Sequence, residues 1–389
     1  MKIYFIQLFT LMFMLGAFCS CSRNLNVQTV SPVGRAEVIS VNVNDSHKSI
    51  DLMPLADSLR YVALETNENI LVSNVLKVVV YHNRLYIHDS SRKIMVFSME
   101  GKFLFEIDNL GLGPGEYSSL QDFCVSDGRI NLLDLNGRKL LRYNASDGSY
   151  VSTIPLRPYF YNLFPTDKHH YLVDIDLYQP NGGMGVLLLD SAMEIQERLL
   201  QYDEYPLFGN GVNVFSALKD SAYSIFSQIE YTTYHFTLPN KLTKRYKFDF
   251  NKGVSTLKFK GKGTTDLSED EADNLISPIY YKESEHLVLL QFLHKMKPYS
   301  ILYTKQGEKS VSTYSTLKCE ANSYLVFYTT DTPNLLASRV IPQQLELLKN
   351  TQEKDIPLEV KQSKLYDMAL KWELDDNPII QLIYLKTHT

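Results

Sequence analysis

The chain has 389 residues, 44% hydrophobic and 21% charged, with 39 Lys+Arg against 44 Asp+Glu and a formal net charge of −5. An ordinary apolar fraction and a small charge per residue exclude a disordered, collagen-like or low-complexity chain, and a mildly acidic balance argues against a nucleic-acid partner. The aromatic load, 26 Tyr and 19 Phe against one Trp, favours strands over helices.

Lys2 precedes an apolar run from Ile3 to Phe18, shorter than a membrane-spanning helix and ending in Ala17-Phe18-Cys19-Ser20-Cys21. One positive charge, a short hydrophobic stretch and small residues at its end give a secretory signal over 1–20. Cysteine directly after Ser20 resembles the lipobox of bacterial lipoproteins, which implies diacylation of Cys21 as the first mature residue. Cys19 is the competing site, but Phe18 before it is bulkier than that pattern prefers. Surface export in Bacteroidetes lipoproteins goes with an acidic run after the cysteine. Here no acid precedes Glu37, so the resemblance implies a lipid-anchored, periplasm-facing envelope protein. No later apolar run reaches spanning length, which leaves the lipid anchor as the sole membrane contact. Residues 21–55 are polar and without clear period, and are expected to form a tether with one edge strand. In the body, Cys124 and Cys319 are left, as buried free thiols or as a disulfide across nearly 200 residues.

From Leu59 to the end, the domain over 56–389 reads as short alternating or apolar runs separated by Asn, Asp, Gly, Ser and Pro. Val75 to His82, Arg84 to His88, Lys93 to Phe97 and Lys102 to Ile107 make four strands. The pattern then repeats in Asp122 to Val125, Arg129 to Asp134, Lys139 to Tyr143 and Tyr150 to Ile154. Leu85-Tyr-Ile-His-Asp89 aligns with Ile130-Asn-Leu-Leu-Asp134 at an offset of roughly 45 residues. Four strands at such a period predict the blades of a β-propeller, each burying its faces on its neighbours.

Weaker copies follow. Phe160 to Phe164, Tyr171 to Asp174, Gly185 to Asp190 and Ile195 to Leu200 give a third blade; Val214 to Leu218, Ala222 to Phe226, Tyr234 to Leu238 and Leu242 to Phe248 give a fourth. Ser268 and the acids after it predict a short helix. Ile279 to Tyr281, His286 to Phe292, Ser300 to Tyr303 and Lys309 to Ser312 give a fifth blade. Tyr324 to Thr329 and Ile379 to Leu385 begin a sixth, with helical inserts near 343–350 and 358–372. Leu59 to Leu64 is placed to pair with the last blade and so remove its free edge. The fold class expected is all-β: a six-bladed β-propeller of four-stranded blades, with short helical inserts in the C-terminal third.

Gly111-Leu-Gly-Pro-Gly-Glu-Tyr117, lying between the two best repeats and followed by Asp122-Phe123, resembles the inter-blade loop of NHL-type propellers. With the ending Leu374 to Leu385, it is similar to the six-bladed propeller lipoproteins of Bacteroides and relatives. Gly111, Gly113, Gly115 and Glu116 could suggest a phosphate cradle, but no Lys-Ser/Thr follows, so they are expected to form a structural turn, with Glu116 accepting backbone N–H groups.

Candidate chemistry is sparse. His169 and His170, with Asp174 and Asp176, are the nearest approach to a metal cluster, yet adjacent strand residues point to opposite faces, so no metal site is expected. Asp266 to Asp273 lacks the alternating ligands and glycine of a calcium loop. No Gly-x-Ser-x-Gly or His-Glu-x-x-His motif is present, and no catalytic residue or cofactor is assigned. His82, His88, His286 and His294 read as structural or exposed. Tyrosines 159, 161, 178, 202, 205, 231 and 234 either stack on a sugar or peptide or pack between blades. The weak ligand-binding candidates are Tyr159, Tyr161, His169 and His170. The function expected is an envelope binding or scaffold propeller for a protein, peptide or glycan. The alternative is a metal-dependent lyase or hydrolase with a site in the channel, which needs ionisable side chains from several blades to converge there.

Overall fold

Four short strands cannot bury both faces of their own sheet, and a ring of such sheets removes the problem by stacking face on face. The computed structural model describes residues 27–43, 47–157, 159–166, 170–175, 184–202, 214–250, 267–305, 311–322 and 325–387. Its strands form six sheets, the blades of a six-bladed β-propeller.

Four strands come first in the chain: β1 Gln28–Thr29, β2 Glu37–Val41, β3 His47–Asp51 and β4 Ala56–Ala63. Blade one holds β5 Val75–Tyr81, β6 Arg84–Asp89, β7 Ile94–Ser98 and β8 Phe103–Ile107. Blade two holds β9 Asp122–Ser126, β10 Arg129–Asp134, β11 Lys139–Asn144 and β12 Tyr150–Pro155. Blade three holds β13 Phe160–Pro165, β14 His170–Ile175, β15 Met184–Asp190 and β16 Ile195–Tyr202. Blade four holds β17 Phe215–Ala217, β18 Ala222–Ser227, β19 Thr232–Thr237 and β20 Lys241–Phe250. Helix α1, Glu269–Asn274, follows, its first turn closed by a capping box between Ser268 and Glu271. Blade five holds β21 Ser277–Glu283, β22 Leu287–His294, β23 Lys297–Thr304 and β24 Val311–Lys318. Blade six holds β25 Val326–Tyr328, β26 Leu335–Arg339 and β27 Ile379–Leu385, with β4 as its fourth strand.

Burial follows position in the blade. The middle strands β6, β7 and β10 are buried on both faces, whereas of the outer strands β8 buries only Ile107 and β12 none, their residues largely alternating between half-buried and exposed. First strands face the axis and meet across blades: the Val78 N–H donates to the Thr329 carbonyl at 3.0 Å, joining blades one and six. Closure is made by β4, antiparallel to β27 with Val62 opposite Ile380. The ring thus has no open seam there.

The segment expected to be a tether with one edge strand instead supplies three. β1 lies parallel to β16, β2 to β20 and β3 to β24, so the chain runs along the outer edges of blades three, four and five before entering blade six. Each outer strand offers a row of unpaired N–H and C=O groups, which is the reason such a strap binds. Ile39 and Val41 fix its face by burying into the core while Val38 points out, 55% exposed. Between β26 and β27, α2 Pro342–Asn350, α3 Leu358–Lys361 and α4 Lys364–Ala369 pack Leu345, Leu365 and Trp372 against Tyr61 and Ile379. Cys124 and Cys319 are buried and free, which settles the disulfide alternative.

The 45-residue repeat is chemical as well as geometric. Asp89 closes β6 by accepting the N–H groups of Ser73 and Ser91, and Asp134 closes β10 by accepting those of Ser118, Ser119 and Gly137. Between these blades, the Glu116 carboxylate accepts the Gly113 N–H at 2.7 Å and Tyr143 donates to the Gly115 carbonyl at 2.8 Å. Gly115 has φ +75°, and an added Cβ would stand 2.9 Å from the Tyr150 ring. Tyr117, fully buried, ties this loop to the Arg92 and Ile107 carbonyls.

Candidate functional site

Ionisable residues from four blades meet at the axis. Lys77 on β5 bonds Asp122 of β9 at 3.0 Å and stands 2.9 Å from Asp331, just beyond β25. Asp122 also accepts the Phe123 and Leu163 N–H groups, which carries the network into blade three. Lys282 of β21 donates to the Thr330 and Thr332 carbonyls from the other side. All four side chains are buried, Asp331 at 8% being the most exposed of them. Burial lowers the Lys77 amine, but the two aspartates more than reverse this and hold it above its ordinary value. Burial holds Asp331 up at about 6 against the pull of Lys77, and lowers Lys282 to about 8. Two cations and two carboxylates balance, so the cluster ties blades one, two, five and six together at no net charge.

A second cluster fills the boundary between blades four and five. Register aligns Ser216, Ser224 and His235 across β17, β18 and β19, and Glu283 at the end of β21 faces them. Glu283, fully buried, accepts from His235 Nε2 and the Tyr281 hydroxyl at 2.7 Å each, and from Ser224 Oγ and Lys305 Nζ. Burial alone would push its carboxyl up. Hydrogen bonds and charge from His235 and Lys305 hold it well below the usual carboxylate range. Every acceptor direction of this carboxylate is engaged within the protein, which suits an inter-blade lock.

Two solvent-open clefts are lined by described residues. One, of about 550 Å³, lies on the outside of blade six between β4 and α4, lined by Arg60, Val62, Glu100, Lys364, Met368 and Tyr384. The other, of about 300 Å³, lies where blade two meets blade three and is lined by Ser126, Arg129, Asn131, Arg142, Tyr171 and Ser191 among others.

The residues singled out from sequence fall apart from these places. Cys21 and His169 lie outside the described residues, as do Asp176, Tyr178 and Tyr205. Tyr159 stacks on the Arg138 guanidinium, 4.7 Å from its ring centre. Tyr161 and Asn162 give their backbone N–H groups to Asp174, which also accepts the Asn162 side-chain amide. Asp174 is therefore occupied as a strand-pairing acceptor, and His170, four residues away on β14, is about 13 Å distant along the strand. Tyr231 and Tyr234 are buried in the core around blade four. The axial and Glu283 clusters were not found from sequence. The one available signal was the charge inversion between Lys77 and Asp122 at the repeat offset. Among the described residues, no three His, Cys, Asp or Glu side chains gather as metal ligands, and no helix is long and apolar enough to cross a membrane.

Residues 36–384 match the family described as Domain of unknown function (DUF4934), and the chain belongs to that family. Among solved structures, the "Putative exported protein" of Bacteroides fragilis NCTC 9343 is similar at TM-score 0.71 and 18% identity, covering 90% of this chain and 100% of that one. Virginiamycin B lyase from Staphylococcus aureus is similar at TM-score 0.41 and 11% identity, covering 84% and 99%. The first likeness shows a shared fold. The chain matches no curated protein.

Proposed function

We propose that this DUF4934 propeller is a bacterial envelope lipoprotein, anchored through Cys21 and facing the periplasm, that binds a protein, peptide or glycan without transforming it. Export is supported by the signal-like run over 1–20 and by the name of the Bacteroides fragilis protein that shares the fold. The NHL-like turn at 111–117 is in keeping with a place among the propeller lipoproteins of that group.

The observation that carries the binding reading is the state of the axis. Lys77, Lys282, Asp122 and Asp331 compensate one another out of solvent's reach, whereas the open cleft between blades two and three is lined by charged side chains, Asp127, Arg129 and Arg142, beside serine and tyrosine hydroxyls. Recognition therefore belongs to the clefts and the rim. A lyase or hydrolase centred on the axis is the second reading. It is favoured by the convergence of four blades there, with Asp331 up at about 6 and Lys282 down at about 8, both shifted toward neutrality.

Two measurements test the proposal. In cells, Cys21→Ala moves the protein from the membrane to the soluble fraction; a variant that stays with the membrane contradicts the lipid anchor. On glycan and peptide arrays, the purified protein retains a defined subset of ligands; uniform failure to retain any contradicts the binding role.

A further inference from the structure

The strap stops short of the outer edge of blade six. In blades three, four and five, β1, β2 and β3 lie parallel to the outer strand and add a fifth. The chain then becomes β4, the fourth strand of blade six, and among the described residues no strand lies outside it. Among those residues, 57–62 make no backbone hydrogen bond beyond the ladder to β27. In an antiparallel pair alternate residues turn their N–H and C=O groups away from the partner strand, so β4 presents a row of them outward.

That edge is the floor of a walled groove. The cleft of about 550 Å³ touches every residue from Ser58 to Ala63. Side chains of a strand alternate between its faces, so a cleft that meets six in succession follows the edge and not one face. On one side Tyr61 packs with Leu365 and Trp372 of the helical insert, and Lys364 and Met368 of α4 rise as the wall. On the other, Val62 packs with Met99 of blade one, and Arg60 reaches Glu100 at 3.1 Å. Arg60 and Glu100 compensate each other, whereas Lys364 is exposed and forms no ion pair among the described residues. A groove with a wall on each face admits a single extended chain. The edge of a second copy would bring the same helix and turn with it, and these would collide with the walls.

We infer that this groove takes an extended acidic segment of a partner protein as the fifth strand of blade six, parallel to β4 as the strap is to its blades. Its main chain pairs with the free edge, its apolar side chains lie toward Met99 and Tyr384, and a carboxylate meets Lys364. This rests on the binding reading above and names a ligand class for it. The test titrates the purified full chain with the labelled peptide Val-Thr-Val-Glu-Val-Thr-Val, with its Lys-for-Glu counterpart and with its fully N-methylated form, while hydrogen exchange of 57–63 is followed by mass spectrometry. The acidic peptide is expected to bind one per chain and to slow exchange in 57–63. The lysine peptide should be weaker by about fivefold, the worth of an exposed ion pair, and the methylated form, which has no N–H to donate, should not bind. Lys364→Glu is expected to reverse the ranking of the two charged peptides, and Lys219→Glu, on blade four, to leave it as it is. Both are exposed positions, and unliganded melting temperatures report that the variants are folded. Binding that leaves exchange in 57–63 unaltered, a ranking indifferent to Lys364→Glu, equal binding of the methylated form, or no binding would overturn the assignment. So would a dimer in sedimentation whose 57–63 amides are already protected without peptide, since the edge would then belong to a second copy. Retention of glycans or other peptides on arrays, with exchange in 57–63 unchanged, would overturn it while the broader binding role stood.

Discussion

Lys77 and Asp122 occupy the same position of two consecutive blades, 45 residues apart, and meet at 3.0 Å on the propeller axis. One repeat position thus carries opposite charges in adjacent copies. The cation is shared with Asp331, so blades one, two and six are joined through a single ammonium group.

Removing that ammonium leaves two buried carboxylates with only Lys282 to offset them. Lys77→Met is expected to lower unfolding free energy by about 3–5 kcal/mol in urea denaturation. Adding Asp331→Asn to it should recover part of the loss, since one of the two stranded charges is gone. Equal stability of Lys77→Met and wild type would show that the axial ions do not couple the blades.

His88 sits where the second copy has Leu133, and burial depresses its imidazole to about 4. In the unfolded chain it titrates near 6.5. Between those values the unfolded chain binds a proton the folded one refuses, so His88 costs stability progressively as pH falls from 6.5 to 4. Asp174 and Asp331, held up at about 6, act in the opposite sense, so the comparison is of variant against wild type. His88→Leu is expected to gain up to about 3 kcal/mol relative to wild type at pH 4 compared with pH 7. A pH-independent difference in urea midpoints would contradict this.

Gly101 turns the chain between β7 and β8 at φ +88°, and an added Cβ would lie 1.9 Å from the Ala63 carbonyl oxygen at the end of the closing strand. Backbone cannot yield as a side chain does. Gly101→Ala is expected to cost more than about 3 kcal/mol, and Gly115→Ala, which presses only on a half-exposed Tyr150 ring, about 1–2 kcal/mol. Thermal melts of the two variants give the order.

Val41, 1% exposed, anchors the strap to blade four. Val41→Asp is expected to raise amide exchange in β20 and to promote association through the uncovered strand edge. Unchanged protection of β20 by hydrogen exchange would mean that the strap adds nothing to that blade.

The first two blades were legible because their turns are written in Asn83, Asp127-Gly128, Asn136-Gly137 and Asp147-Gly148, with apolar runs of even spacing between them. β26 escaped because Leu335 to Arg339 has no β-branched or aromatic residue and no alternation. The strap escaped for another reason. Its strands are specified by distant free edges, and only Ile39 and Val41 mark the buried face locally. The axial site was half legible: Lys77 and Asp122 lie inside the readable repeat, while Lys282 and Asp331 belong to blades whose sequences match no other copy. The cleft arginines were hidden because Arg142 looks like an ordinary polar strand residue in the sequence, and its Nε bond to Asn131 Oδ1 at 3.1 Å, across β11 and β10, is visible only once the strands are paired.

The most direct test of the account is recovery of ligand after contact with the protein. Acidic and neutral glycans and envelope peptides are incubated with the purified full chain, and free and bound fractions are weighed by mass spectrometry. The account predicts ligand captured up to one equivalent and returned unchanged on unfolding. Conversion of more than one equivalent of any component, lost in Lys282→Met or Asp331→Asn, would contradict it and place chemistry at the axis.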